Sequence, residues 1–327
     1  MPPEWAPQDW LWIGFPHLAD EWSGVLARAQ EQIAAFANAV ADSGQEVRLL
    51  VRDAANAAHA RELVSHKVTL EQYTYGDIWL RDTGPLIITR DGQRLAQRFA
   101  FNGWGGKYEM PGDEQVGEEL AHDAGLAVVR SPMILEGGAL DSDGAGLAVT
   151  TEQCLLNPNR NPNMSRTEIE LELADTLGFT QIVWLGQGLI NDHTDGHVDN
   201  LARFIAPGHL LIPQANSADD PNYAIYDDAV QRAEAEGLEV SRIPSPGLIE
   251  RDSAIEPASY VNFAITTNLV IVPNFGSPND EAGVAAIAEQ FPDRTTIGLP
   301  ADAVLAGGGG FHCASQQMPS ALHKPSP

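Results

Sequence analysis

The sequence has few cysteines and lacks long apolar runs. Cys154 and Cys313 are the two cysteines in 327 residues, which is too few for a disulfide framework and typical of a reducing compartment. No apolar stretch approaches the roughly 20 residues that a membrane helix needs. The first ten residues, MPPEWAPQDW, carry no Lys or Arg ahead of an apolar segment, so no signal peptide is expected. We therefore expect a cytoplasmic protein that does not bind or cross a membrane.

Basic residues are also scarce. The chain has 19 Lys and Arg against 45 Asp and Glu, a formal net charge of −26. Such an acidic surface repels phosphate groups, so we expect no binding to nucleic acid or to an anionic membrane. The charge has two interpretations that composition does not separate, solubility and the attraction of cationic substrates.

Packing residues, by contrast, are plentiful, since 43 % of the chain is hydrophobic and there is no low-complexity tract. Amphipathic helices are predicted from about Glu21 to Ser43, after the capping-box pair Ser165 and Glu168, and up to Pro292. Strands alternating with helices predict one α/β domain over residues 1–319, with a flexible tail at 320–327 and no recognisable sequence repeat. Short apolar runs predict strands at Val47–Val51, Ile78–Leu80, Leu86–Thr89, Leu147–Thr150, Ile182–Leu185, Leu210–Pro213 and Leu269–Val272.

Two acidic residues lie beside turn glycines at the ends of predicted strands. Asp82 directly follows an apolar stretch and precedes Thr-Gly-Pro, which places its carboxylate on a turn. An Asx turn that only caps the strand is the alternative. Glu136 precedes Gly137 and Gly138, where the backbone can closely approach another group.

The segment NDHTDGHVDN combines histidines with acids. One hypothesis is a metal hydrolase that uses His193, Asp195, His197 and Asp199. Gly196 argues against the helix that would align the two histidines, and no Glu follows the first one. On a strand, His197 and Asp199 would instead point to the same face, as an acid/base beside a carboxylate. A hydrogen-bonded turn is the structural alternative.

Four glycines, 307–310, come shortly before Cys313. No Lys follows them, so this is not a phosphate-binding loop. A cysteine after such a loop suits a thiolate nucleophile, although a lone cysteine is more often a small buried hydrophobe. We assign that second interpretation to Cys154.

Taken together, these segments resemble the agmatine deiminases of the guanidine-modifying superfamily, which includes arginine deiminase and the peptidylarginine deiminases. The resemblance runs nearly end to end through WLRDTGP, FNGWGG, LEGGALDSDG, LLNPNRNP, DHTDGHVDN, SYVNF and AGGGGFHCASQQ. It implies a five-bladed pseudosymmetric α/β propeller of the pentein type, with the site at its centre. It also implies a cationic guanidino substrate, no metal or organic cofactor, and a place in putrescine biosynthesis.

The resemblance further implies a role for each matching residue. Cys313 would be the nucleophile, His197 the general acid/base, Asp82 and Asp199 the carboxylates that hold the guanidinium, Glu136 a further acid, and Trp79 an aromatic lining of the substrate channel.

Two positions depart from the family pattern, in which Ser is common at Ala139 and Glu at His193. Both concern recognition of the far end of the substrate. Free arginine or peptidyl arginine are therefore alternative substrates, and an amidinotransferase or a non-catalytic polyamine-binding protein are alternative functions. The sequence leaves a homo-oligomer open.

Overall fold

The computed structural model describes residues 1–22 and 24–321. Its strands are β1 (Gln8–Gly14), β2 (Glu46–Val51), β3 (Val68–Gln72), β4 (Leu86–Arg90), β5 (Gln93–Ala100), β6 (Ala127–Ile134), β7 (Asp141–Ser142), β8 (Leu147–Thr151), β9 (Gln181–Leu185), β10 (Arg203–Ala206), β11 (His209–Gln214), β12 (Glu239–Pro244), β13 (Glu250–Arg251), β14 (Ala254–Ile255), β15 (Ala264–Ile265), β16 (Leu269–Asn274), β17 (Thr295–Pro300) and β18 (Ser315–Pro319).

The helices connect these strands. They are α1 (Leu26–Asp42), α2 (Ala54–Leu63), α3 (Leu80–Thr83), α4 (Gly103–Gly106), α5 (Asp113–Asp123), α6 (Glu152–Leu155), α7 (Arg166–Leu177), α8 (Tyr223–Ala235), α9 (Asp280–Gln290) and α10 (Asp302–Leu305), with 3-10 turns at Gly137–Ala139 and Val198–Asn200.

One sheet pattern recurs along the described ranges 1–22 and 24–321. The sheets β4–β5–β6, β7–β8–β9, β10–β11–β12 and β15–β16–β17 each have an antiparallel pair followed by a parallel pair. A parallel pair needs a long crossover, which α5, α7, α8 and α9 supply. The fifth sheet, β18–β1–β2–β3, follows the same rule but joins the two ends of the chain, because β18 pairs antiparallel with β1.

Packing of α1 holds the segment that carries Cys313. Phe36 on α1 and Phe311 are both fully buried, with ring centroids 4.8 Å apart. Full burial of such an aromatic side chain contributes about 1.5–3 kcal/mol. The segment before Cys313 is therefore fixed against the sheet that contains β1 and β18.

Most predicted elements are confirmed, because an apolar run of β-branched residues or a helical period reports burial directly. The predicted strands other than Ile78–Leu80 lie in β2, β4, β8, β9, β11 and β16. The capping box at Ser165 and Glu168 is formed, and α7 ends at Gly178 with φ 79°. The helix that was predicted to run up to Pro292 is α9, which ends at Gln290, two residues before this proline.

Two predicted elements are wrong in part. Ile78–Leu80 is not a strand: the Asp77 carboxylate accepts from the Ile78 N–H at 2.7 Å, and the chain then turns into α3. A short acidic side chain that bonds its neighbouring backbone competes with strand pairing. The first helix begins at Leu26 and not near Glu21, because Trp22 is buried against Trp79, with ring centroids 5.8 Å apart.

The predicted tail at 320–327 lies mostly outside the described residues. Ser320 is described, and it donates hydrogen bonds from its backbone N–H to the Pro7 carbonyl and from its hydroxyl to Asp9. Residues 322–327 lie outside the described ranges.

Candidate active site

A cavity of about 140 Å³ opens near the glycine-rich segment. Of the six residues to which the family resemblance assigns a role, Trp79, Asp82 and Cys313 line it. The remaining lining residues are Glu21, Asp77, Trp104, Tyr108, Met110, His193, Thr194, Ala306, Gly307 and Gly308. His197, Asp199 and Glu136 are fully buried beside these groups.

The candidate residues occupy equivalent places in the chain. Each one lies just before the first, antiparallel strand of a sheet, where loops commonly carry function. In chain order, Asp82 precedes β4, Glu136 precedes β7, His197 and Asp199 precede β10, Asn262 precedes β15 and Cys313 precedes β18. The recurring sheet pattern therefore brings together residues that are far apart in sequence.

Cys313 is held by main-chain and side-chain contacts. Asn262 donates from Nδ2 to Sγ at 3.0 Å, and its Oδ1 accepts from the Cys313 N–H at 3.3 Å. Gly309 must be glycine, since a Cβ there would come within 2.7 Å of the Trp79 ring and 2.9 Å of the Cys313 Cβ. Burial, followed by the charges of Asp199 and Asp82, raises the pKa of the Cys313 thiol well above its usual value. The free protein therefore holds a thiol and not a thiolate.

His197 does not lie on a strand, which corrects the prediction. It precedes the 3-10 turn Val198–Asn200, because Asp195 and Gly196 have φ of 65° and 87° and turn the chain. The predicted proximity to a carboxylate nevertheless holds, since the charge of Asp199 acts on the ring. Burial lowers the pKa of His197 to about 3, so the imidazole is neutral at neutral pH. Both ring nitrogens lack a hydrogen-bond partner among the residues that the structure describes.

Asp82 lies inside α3 and not on a turn after a strand. Its Oδ2 accepts from Trp104 Nε1 and its Oδ1 from the Gly138 N–H, each at 2.9 Å. Burial, followed by the charge of Asp199, raises the pKa of Asp82 well above its usual value. Gly138 allows this approach, because a Cβ there would lie 2.7 Å from His197 Nδ1 and 2.8 Å from Asp82 Oδ1.

Glu136 forms an ion pair with Arg160, which the sequence did not single out. Arg160 Nε donates to Glu136 at 2.6 Å, and its Nη1 donates to Asp195 at 2.7 Å. Burial raises the pKa of Glu136, although Arg160 opposes this. The signal for Arg160 was its position within LLNPNRNP, but nothing in that motif shows where the guanidinium points.

The metal hypothesis is not supported by this geometry. Asp195 binds Arg160 and Lys107, and Asp199 binds His312, so neither is available beside His193 and His197. Among the described residues, the set of candidate ligand atoms that lies within 4.8 Å of one another is a different one: Glu136, Cys154 and His197. The Arg160 guanidinium on Glu136 opposes a second cation there. Cys154 is fully buried in an apolar cluster, as its assignment as a small hydrophobe predicted.

Asp199 has a partner that sequence reasoning missed. His312 Nδ1 lies 2.7 Å from Asp199 Oδ2, and His312 Nε2 lies 3.2 Å from Glu4 Oε2. Burial opposes ionisation of Asp199, but the hydrogen bond and charge of His312 outweigh it and lower the pKa of this carboxyl. Cys313 Sγ lies 3.3 Å from the same oxygen of Asp199.

Trp104 is a further residue that sequence reasoning missed, after Arg160 and His312. Its indole holds Asp82, and its backbone is left-handed, with φ 52°. A bulky residue in that conformation is strained by about 1–3 kcal/mol and is often found at functional sites. The Asn and Gly residues of FNGWGG were its only sequence signal. Trp79 is fixed similarly, because its Nε1 donates to Asp77 at 2.8 Å.

The cavity lining is acidic. Glu21, Asp77 and Asp82 contribute carboxyl groups, and the described lining includes neither Lys nor Arg. Burial raises the pKa of Asp77 to about 7. Of the two departures from the family pattern, His193 lines the cavity, whereas Ala139 is fully buried away from it.

Across residues 1–22 and 24–321, the helices are too short or too polar to span a bilayer.

Comparison with known proteins gives one answer over the whole chain. The sequence model of the Porphyromonas-type peptidyl-arginine deiminases matches residues 1–319. A Pectobacterium atrosepticum protein, named as a candidate agmatine deiminase, is 35% identical over 350 residues, or 98% of this chain and 95% of that protein. The agmatine deiminase of Enterococcus faecalis superposes with a TM-score of 0.93 at 30% identity, over 98% and 96% of the two chains. The agmatine deiminase of C. jejuni with substrate bound superposes with a TM-score of 0.92 at 28% identity, again over 98% and 96% of the two chains. The chain, a single-domain α/β fold, therefore belongs to the Porphyromonas-type peptidyl-arginine deiminase family.

Proposed function

We propose that this protein hydrolyses agmatine to N-carbamoylputrescine and ammonia through a covalent intermediate on Cys313. The observation that carries this proposal is the convergence of a thiol, an imidazole and two carboxylates at one acidic cavity. Cys313 Sγ lies 3.3 Å from Asp199, and His197 Nδ1 lies 3.7 Å from Asp82. A planar guanidinium presents paired N–H donors, which two carboxylates can accept in a fixed orientation.

The reaction needs a nucleophile and a group that moves protons. Neutral His197 accepts the thiol proton of Cys313, and the sulfur attacks the guanidinium carbon to form a C–S bond. His197 then returns this proton to one nitrogen, the C–N bond breaks, and ammonia leaves. Water attacks the remaining thiouronium carbon while His197 takes its proton. The C–S bond breaks, His197 gives its proton to the departing sulfur of Cys313, the new hydroxyl group loses its proton to solvent, and the ureido product leaves.

The substrate itself promotes ionisation of Cys313. The free site holds a thiol of raised pKa beside a neutral imidazole. A bound guanidinium introduces a positive charge within the site, which stabilises a thiolate and ionised carboxylates. The chemistry therefore begins when a cation binds, and the free thiol stays unreactive.

The other predicted site residues have supporting roles. We assign Trp79 to the channel wall, where its indole is fixed by Asp77. Glu136 is buried against Arg160 and does not line the cavity, so we propose that it positions His197 and the turn around Asp195 and does not bind substrate directly.

Agmatine fits the lining better than free arginine does. Agmatine is a dication, and the carboxyl groups of Glu21 and Asp77 lie on the same lining as Asp82. Free arginine carries a carboxylate, which finds neither Lys nor Arg among the described lining residues and would be repelled by the acids.

Formation of ureido product by the purified protein tests the function. Agmatine, arginine and a benzoylated arginine ester are offered in parallel to wild type, Cys313→Ala and, as a matched control, Cys154→Ala. We expect product from agmatine, loss of at least about 10³-fold in Cys313→Ala, and retained activity in Cys154→Ala. A new guanidine in the presence of an amine would show an amidinotransferase. Binding of agmatine without any product in wild type would show a polyamine-binding protein.

We also propose that the five sheets of three or more strands are the blades of a pseudosymmetric α/β propeller of the pentein type, with residues 1–319 as the catalytic domain. The shared sheet pattern and the equivalent positions of the site residues support this arrangement. The cytoplasm remains the predicted compartment, in line with two unpaired cysteines. A homo-oligomer remains a prediction.

A further inference from the structure

His312 is a fully buried histidine whose two ring nitrogens both face carboxylates. Nδ1 lies 2.7 Å from Asp199 Oδ2, and Nε2 lies 3.2 Å from Glu4 Oε2. A neutral imidazole has one N–H and can donate to one of them, whereas an imidazolium donates to both. The geometry therefore favours the charged ring.

The groups around this histidine keep the positive charge balanced. Glu4 also pairs with Arg203, and Arg203 Nε lies 3.2 Å from Asp141. Arg81 Nη2 lies 3.9 Å from Glu4. Burial opposes ionisation of Glu4, but Arg203 and then His312 hold its pKa well below the usual value. Asp199, His312, Glu4, Arg203 and Asp141 thus form one buried row of alternating charges.

This row reaches the reacting groups through Asp199. His312 occupies Oδ2 of Asp199, and Oδ1 has no hydrogen-bond partner within the described part of the chain. The same Oδ2 lies 3.3 Å from Cys313 Sγ. An unpartnered buried carboxylate oxygen is costly, and a guanidinium N–H would satisfy it.

We propose that His312 is a positioning residue: its imidazolium, held from behind by Glu4, fixes Asp199 as a permanent anion with one oxygen free for the guanidinium. The N-terminal segment that carries Glu4 is then part of the catalytic apparatus and does more than complete the fold. This inference rests on the proposed function, because its readout is turnover of agmatine.

The test compares the pH profiles of His312→Gln, Glu4→Gln and wild type. Because His312 lowers the pKa of Asp199, its removal should move the acid limb of kcat/KM to higher pH, by about one unit or more. Because the variant also loses the hydrogen bond that orients Asp199, the KM for agmatine at pH 7 should rise about tenfold, and kcat should change less. Glu4→Gln should shift both quantities in the same direction but by less, because the Nδ1–H can still reach Asp199.

The matched control is His209→Gln, which removes a ring on β11 that bonds Ser241 of β12 and does not line the cavity. It should keep the wild-type profile. A folded His312→Gln with an unmoved acid limb and unchanged KM would overturn the role of His312. If that variant does not fold, Glu4→Gln decides in the same way. Absence of ureido product from wild type would overturn the proposed function and this role together, so the two failures are distinguishable.

Discussion

Asp82 and Asp199 are both buried beside Cys313, yet their surroundings are opposite. Asp82 accepts hydrogen bonds from two neutral donors, the Trp104 indole and the Gly138 N–H, and burial raises its pKa well above the usual value. Asp199 accepts from His312, whose charge and hydrogen bond overcome burial and lower its pKa. The site therefore stabilises the charge on Asp199 and opposes the charge on Asp82.

The difference shows how a site can bind a cation without carrying two buried anions at rest. Two like charges this deep repel each other, and each raises the pKa of the other. His312 stabilises the charge on Asp199. In the function that we propose, binding of the guanidinium stabilises the charge on Asp82, so that both carboxylates are ionised in the substrate-bound state.

The largest expected effect comes from removing the permanent anion. Asp199→Asn should lower kcat/KM for agmatine by about 10³-fold, because it removes a charged partner of the guanidinium and leaves His312 beside an amide. Steady-state kinetics on ureido product measures this. The loss should persist across the pH range, since no pH restores the charge. A variant that recovers at alkaline pH would contradict a permanent anion.

A smaller effect is expected from Asp82→Asn. Burial already disfavours the charged form of this group in the free protein, so the loss in kcat/KM should be about 10²-fold and should arise in the substrate-bound state.

The same variant reports on stability through its pH dependence. The folded pKa of Asp82 lies above its unfolded value of about 3.9. The unfolded chain therefore loses this proton first, and wild type loses stability as pH rises above about 4. The variant does not titrate, so its free energy of unfolding relative to wild type should rise between pH 4 and 8. Chemical denaturation at both pH values measures the difference; a constant gap would show that Asp82 ionises freely in the fold.

Burial patterns are what the sequence predicts well. Leu269–Val272 and the capped helix after Ser165 were identified because apolar spacing depends only on which face is buried. The recurring sheet pattern escaped detection for the same reason, since any β-branched residue satisfies a buried strand position. The same sheet arrangement therefore recurs along the chain although the amino-acid sequence has no recognisable repeat.

Loop conformations were harder to predict, because side-chain hydrogen bonds determine them. The hydrogen bond from the Ile78 N–H to Asp77 replaces a predicted strand with a turn into a short helix. The left-handed backbone of Asp195 reverses the chain before His197, so that segment is not a strand. The family resemblance named Asp82 and Asp199 as a pair but contained nothing to tell them apart. What separates them is His312 and Glu4, which are at opposite ends of the chain and meet because β18 pairs with β1.

The smallest expected effect comes from a variant that changes the surroundings of Asp82 and leaves those of Asp199 unchanged. Trp104→Phe keeps an aromatic ring on the cavity wall but removes the N–H that favours the ionised form of Asp82. The Gly138 N–H remains, so the loss in kcat/KM should be about tenfold, near the 1.4 kcal/mol of one modest hydrogen bond to a charged group.

The pH dependence of that loss distinguishes charge stabilisation from packing. Without the indole N–H, the pKa of Asp82 rises further, so the loss should be greatest at acidic pH and shrink as pH rises and Asp82 ionises. Trp10→Phe is the matched control, because its Nε1 has no partner in the described chain, and it should leave the profile unchanged. A Trp104→Phe loss that is equal at every pH would mean that the indole acts by filling space. Its left-handed backbone would then serve the shape of the cavity and not the charge of Asp82.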